Sequence, residues 1–194
     1  MCSSSQQNYN INRYLTTSGD NMNYNSNIWS YTDGGPVGAP IPTRDDNVFI
    51  HCVSNTDLIL SRTEYCKNLT ITIEAYTLRI ITNQYHLAVY GNYEVITPGV
   101  PSTQYLEFSN AVDSIPSLVF VSVAGKNNTL KETNCTPSYF FLIYDHDHVR
   151  FSGKGSFTLL SDMYIGQPLS SPSYAVDAET TLNLNGFNIF DHQN

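Results

Sequence analysis

The sequence predicts an all-β protein, wound as a short parallel β-solenoid, on three observations. Apolar alternation of period two starts, breaks and restarts about every nine residues through CKNLTITIEAYTLRIITNQYHLAVYGNYEV, residues 66–95, which makes each burst too short for a helix. An apolar–x–apolar–x–Gly pattern returns at 87–91 (LAVYG), 149–153 (VRFSG) and 182–186 (LNLNG). Similar strands also sit near 20-residue offsets, DNVFI before NLTI and DLIL before TLRI. Charged residues make up only 13% of the 194, so the polar surface is built from Asn, Ser, Thr and Tyr, which suit strands better than exposed helices.

The elements follow in order. Residues 1–27 are rich in Asn and Ser and weakly patterned, and are expected to form an N-terminal polar arm. Residues 28–194 are expected to form one solenoid domain. Its first stretch, 28–47, holds Gly34, Gly35, Pro36, Gly38, Pro40 and Pro42, which preclude a helix and make a capping lead-in. Trp29 is expected to lie over the first exposed apolar layer as a lid. Asp45, Asp46 and Asn47 then turn the chain into Val48–Ile50. Short strands run from there to the end, and Pro116 limits any helical turn over 111–117. Phe187, Ile189 and Phe190 lie close to the C-terminus, where they would close the last layer or dock onto a partner.

A stack of this kind has a physical logic. One coil cannot bury its own inner face, but coils stacked strand upon strand bury it continuously. Gly and Asn suit the corners, where positive φ or backbone-like side-chain bonds are needed. An antiparallel β-sandwich is the alternative. It requires tight hairpins, and hairpin-type dipeptides are scarce: Asn185–Gly186 and Asp33–Gly34.

Composition excludes some functions. Net charge is −8, with 9 basic residues against 17 acidic ones and no basic cluster, so neither nucleic acid nor an anionic membrane is an expected partner. The first 27 residues show no apolar core of a secretory signal, and no run reaches the roughly 18 apolar residues of a membrane span. Cys2, Cys52, Cys66 and Cys135 make no Cys-x-x-Cys pair, and no cofactor is expected. Cys52 and Cys66 read either as neighbours able to pair or as buried free thiols.

Trp29, Gly34–Pro36, Pro42–Ile50, Cys66–Ile71, Thr77–Ile80 and Leu87–Asn92 together resemble the opening coils of right-handed parallel β-helix domains of the pectin-lyase-like type. The resemblance covers residues 28–95. It implies a right-handed winding, and a group that includes polysaccharide lyases and hydrolases, tail-spike depolymerases, adhesins and virion fibres. Enzymes of that group are usually longer, and its surface proteins usually carry a secretion signal. The resemblance therefore points to structural proteins of phages and large viruses, made in the host cytoplasm and assembled onto particles.

Three sets of residues are candidates for chemistry. Tyr76, Tyr85, Tyr90 and Tyr93 cluster in the early strands, and their ring faces would stack on sugars; they also read as ordinary half-buried strand tyrosines. Asp145, His146, Asp147 and His148 would supply metal ligands, or form a polar turn between two strands. Carboxylates are scattered, from Glu64, Glu74 and Glu94 to Asp162 and Asp177, and a glycosidase needs two of them about 5–9.5 Å apart.

The expected function is a non-enzymatic structural or attachment protein of a virion or similar assembly, such as a capsid decoration, fibre or tail-associated module. Its partners would be other assembly proteins or copies of itself, with glycans as a further class. The alternative is a carbohydrate-acting protein, a depolymerase or a glycan-binding adhesin, at the cell surface or outside the cell.

Overall fold

A computed structural model describes residues 11–17, 19, 21–74, 76–97, 105–110, 115–133, 149–165 and 174–191. It is all-β. Strands β1 (Asn12–Thr16) and β2 (Met22–Asn23) come first. They are followed by β3 (Asn47–Cys52), β4 (Thr56–Ile59), β5 (Glu64–Cys66), β6 (Leu69–Ile73), β7 (Thr77–Asn83) and β8 (Leu87–Val89). Next are β9 (Tyr93–Ile96), β10 (Tyr105–Asn110), β11 (Leu118–Ser122), β12 (Asn127–Thr133) and β13 (Val149–Gly153). The last five are β14 (Ser156–Leu159), β15 (Met163–Ile165), β16 (Tyr174–Val176), β17 (Thr181–Asn183) and β18 (Ile189–Asp191).

These strands form parallel sheets. The first has the order β1-β3-β6-β9-β12-β14-β17, the second β10-β7-β4-β2, and the third β16-β13-β11-β8-β5. Strands β15 and β18 make a separate parallel pair. From β3 to β11 the chain visits the first, second and third sheets in strict rotation, three times. Among the described residues every pairing between strands is parallel, and the antiparallel contact is an isolated bridge between Tyr14 and Ser30. The hairpin pairings that a β-sandwich needs are thus not found among these strands.

The register explains the burial. In β6, Leu69, Ile71 and Ile73 point inward while Thr70 and Thr72 stay half-buried. Val48, Leu69, Tyr93 and Leu130 stand one above another in successive strands of the first sheet, and Ile50, Ile71 and Val95 form the next column. In the third sheet Cys66, Val89, Phe120 and Phe151 do the same. Each buried Leu, Ile, Val or Phe contributes about 1.5–3 kcal/mol relative to exposure. The offsets read from sequence correspond to real neighbours: Val48 pairs with Leu69, and Leu58 with Ile80. The glycine-ended repeat divides. Leu87–Val89 and Val149–Gly153 both belong to the third sheet, but Thr181–Asn183 belongs to the first.

Residues 11–17, 19 and 21–27, expected as part of the polar arm, lie against the strands that follow. Strand β1 pairs along its length with β3, and β2 pairs with β4. Leu15 and Tyr24 are buried. Arg13 is buried as well, donating to the Pro40 carbonyl at 3.1 Å and facing Asp46 at 3.7 Å. The polar composition misled because a few inward side chains suffice once a neighbouring strand satisfies the backbone. Trp29 is fully buried, packs edge-on against Tyr24 at 4.8 Å, and donates its indole N–H to the Tyr24 carbonyl at 2.9 Å.

A column of asparagines ties one margin of the first sheet. Asn47 Nδ2 donates to Asn12 Oδ1 at 3.0 Å, and Asn68 Nδ2 donates to Asn47 Oδ1 at 2.7 Å. The Asn92 N–H donates to Asn68 Oδ1 at 2.7 Å, and the Thr129 N–H donates to Asn92 Oδ1 at 2.9 Å. Asn68 therefore both donates and accepts within the column. Asn68→Ala is expected to lower stability by about 1–3 kcal/mol, because it leaves the Asn47 oxygen and the Asn92 N–H without these bonds. Urea denaturation followed by circular dichroism measures this.

Candidate functional site

Two of the cavities among the described residues gather polar side chains. The larger is a cleft of about 750 Å³ whose lining includes Pro42, Arg44, Arg62, Glu64, Tyr65 and Tyr90. Strand β5 has the burial pattern buried–exposed–buried, so Glu64 and Cys66 turn inward and Tyr65 turns out. Tyr90 directly follows β8, the neighbour of β5, so the parallel register brings the two tyrosines together. Their ring centroids lie 6.3 Å apart with the planes at 49°. The Arg44 guanidinium sits over the Tyr90 ring at 5.7 Å. Glu64 is only 2% exposed, and one oxygen, Oε1, accepts from Arg62 Nε at 2.7 Å and from Asn25 Nδ2 at 2.6 Å. That carboxylate is thus neutralised by its own neighbours.

The smaller cavity, about 180 Å³, opens on the outer face of the first sheet. Tyr14 and Phe49 stack there at 4.8 Å. Beside them His51 spans two carboxylates, Nε2 to Glu74 Oε1 at 2.9 Å and Nδ1 to Asp33 Oδ2 at 3.3 Å. Partial burial by itself would lower the His51 pKa. The hydrogen bond to Glu74 and the charge of Asp33 outweigh it and hold the imidazole above its ordinary value. A group with a raised pKa stabilises the fold fully below its unfolded value, about 6.5, and that contribution fades as pH rises through the folded value. Wild-type protein is therefore expected to lose stability relative to His51→Gln as pH climbs from about 6 to about 8. Denaturation midpoints of both proteins across that range check it.

Of the four tyrosines proposed from sequence, Tyr90 lines the large cleft. Tyr76 is exposed in the turn before β7, and Tyr85 is half-buried with its hydroxyl accepting from Gln84 Nε2 at 3.1 Å. Tyr93 turns inward, 1% exposed, and packs edge-on against Phe120 at 5.1 Å, so it presents no ring face to solvent. Its place in strand β9 puts it in the inward column over Leu69. Tyr65 and Arg44, which share the cleft with Tyr90, carry no motif; only the pairing of β5 with β8 brings the two tyrosines together. Asp145, His146, Asp147 and His148 lie outside the described residues. Among those described, no three His, Cys, Asp or Glu side chains converge as metal ligands do. Phe187 is half-buried against the core, and Phe190 in β18 is exposed.

Cys52 and Cys66 are both buried free thiols. Burial pushes the Cys52 thiol up to about 11, against the pull of its bonds to Thr17 and Ser54, and pushes Cys66 higher still. Both are therefore protonated and unreactive near neutral pH.

Several surface carboxylates are matched by cations on neighbouring segments of the stack. Arg79 Nε donates to Asp57 Oδ1 at 2.6 Å, and these residues are direct register partners. Lys131 and Glu94, at 3.1 Å, are partners in the first sheet. Arg150 meets Asp177 at 2.9 Å, and Lys154 meets Glu179 at 3.1 Å. Exposed pairs of this kind contribute about 0–1 kcal/mol each, but they fix register between adjacent strands. Comparison of the chain with protein-family models, with curated proteins and with solved structures gives no match.

Proposed function

We propose that the sheets are the faces of a short parallel β-helix, right-handed as the resemblance implies, and that the chain is a structural or attachment module of a virion or similar assembly. The reading rests on one observation above all, the difference between the two ends of the stack. At the first end β1 is bridged by the lead-in. Tyr14 and Ser30 exchange backbone bonds of 3.0 and 2.9 Å, and Trp29 is sealed beneath. At the other end β16 is exposed at all three residues, and Tyr174, Val176, Leu184 and Phe190 are exposed apolar side chains. A sheet end that is unpaired among the described residues and exposes apolar side chains favours addition of another chain. The low charge and the ion pairs between register partners fit a surface built for stacking. The sheet carboxylates described above are engaged by cations, which suits a scaffold better than acid–base catalysis.

Association of copies, or docking onto a particle, is the consequence. Light scattering across a range of concentrations should show an average mass rising above 21.7 kDa, and Val176→Lys with Leu184→Lys should suppress the rise. A protein that stays monomeric at every concentration and binds no assembly partner would sink the reading.

A further inference from the structure

We propose that the cleft at Tyr65 and Tyr90 binds an acidic sugar, its ring against the two tyrosines and its carboxylate on Arg44. The site stands independently of the assembly reading, since it shares no residue with the apolar side chains exposed at the β16 end.

Four observations carry it. First, the two rings meet at 49° with centroids 6.3 Å apart, forming an angled aromatic wall, and Tyr65 is 40% exposed. Aromatic faces of this kind receive the apolar C–H face of a sugar ring while leaving its hydroxyls free to bond. Second, Arg44 lacks a carboxylate partner among the described residues. Arg13, Arg62, Arg79 and Arg150 each pair with an Asp or Glu, whereas the Arg44 guanidinium rests on Tyr90 at 5.7 Å. A planar fork held over a ring is positioned to take a carboxylate in two parallel bonds.

Third, the local charge opposes the global one. The chain carries −8, yet the cleft has two guanidinium groups against a single carboxylate. That carboxylate, Glu64, is already held by Arg62 and Asn25, so Arg44 is a surplus positive charge. A neutral sugar would leave this charge unused. A polyanion with closely spaced charges would be repelled by the acidic surface around it. One carboxylate on a ring matches one free guanidinium. Fourth, a volume of about 750 Å³ lies within the range of about 300–1,000 Å³ usual for small-ligand sites.

The test is calorimetric titration with two acidic probes and their neutral counterparts. One pair is methyl β-glucuronide and methyl β-glucoside. The other is a sialylated lactose and lactose itself. At least one acidic probe should bind with a Kd of about 1 mM or below, and its neutral counterpart about tenfold more weakly or worse. Arg44→Gln should abolish that preference, and Tyr65→Ala should weaken the acidic probe about tenfold. Lys126→Gln, a change at an exposed lysine elsewhere, should alter neither. Arg44 and Tyr65 are exposed, so both variants should keep the wild-type circular dichroism and Trp29 fluorescence. Binding of neither acidic probe, equal binding of acidic and neutral forms, or a preference that survives Arg44→Gln would each overturn the proposal. Light scattering on the same samples keeps this outcome separate from that of the assembly reading.

Discussion

Trp29→Ala is expected to destabilise the protein by about 3–5 kcal/mol, the range for removing a fully buried aromatic side chain. Two effects add. The large side chain leaves a cavity beside Tyr24, and the Tyr24 carbonyl loses the indole N–H it accepts at 2.9 Å. The position makes the loss consequential. The Trp29 carbonyl accepts from the N–H groups of Gly38 and Ala39, both at 2.9 Å, and so holds the lead-in folded back over the first strands. Urea unfolding followed by circular dichroism gives the stability. Limited proteolysis within residues 31–45 gives the local effect, with cleavage in the variant before global unfolding. A variant within about 1 kcal/mol of wild type would mean that Trp29 is not what closes this end.

Gly153→Ala is expected to cost at least about 3 kcal/mol, more than any ordinary glycine-to-alanine change. Gly153 has φ +102°, in the region that side chains rarely adopt, and an added Cβ would lie 2.1 Å from the carbonyl oxygen of Ser122. Ser122 is its register partner in the neighbouring strand, so the obstruction is backbone and can yield only if β13 separates from β11. Gly186 supplies the control. Its φ is +84° but nothing lies within 4 Å of an added Cβ, so Gly186→Ala should show only the left-handed backbone penalty of about 1–2 kcal/mol. The same variant examines the stacked arrangement. Trp29 is the chain's single tryptophan and lies in the lead-in, packed on Tyr24 just after β2. In a stack held by neighbour-to-neighbour contacts, a defect at Gly153 should shift the circular dichroism transition more than the Trp29 fluorescence transition. Coincident transitions, equally shifted, would indicate one indivisible cooperative core instead.

Much of the fold was legible because strand signals are local. Inside–outside alternation in NLTI or YTLRI is a property of five consecutive residues, and it survives in β6 and β7. The near-20-residue offsets were also legible, since β3 and β6, or β4 and β7, differ by one short circuit of chain. The polar start of the chain was not. Arg13, Leu15 and Tyr24 reveal their inward role only when β3 and β4 lie alongside to take up the backbone of β1 and β2. The tyrosine row failed in part for a related reason. Adjacent tyrosines in sequence, such as Tyr90 and Tyr93, end on opposite sides of the wall, one lining the cleft and the other in the core.

The sequence by itself determined that the chain is all-β, that its strands are short, and which residues in most of them face inward. Those properties depend on side-chain alternation within a few residues. Tertiary structure alone decided the register between strands, that Arg44 has no carboxylate partner among the described residues, and that Tyr65 meets Tyr90 across β5 and β8. The physical reason is register. Pairing between strands separated by a full circuit sets which side chains share a face, and a slip of a single residue would reverse them all.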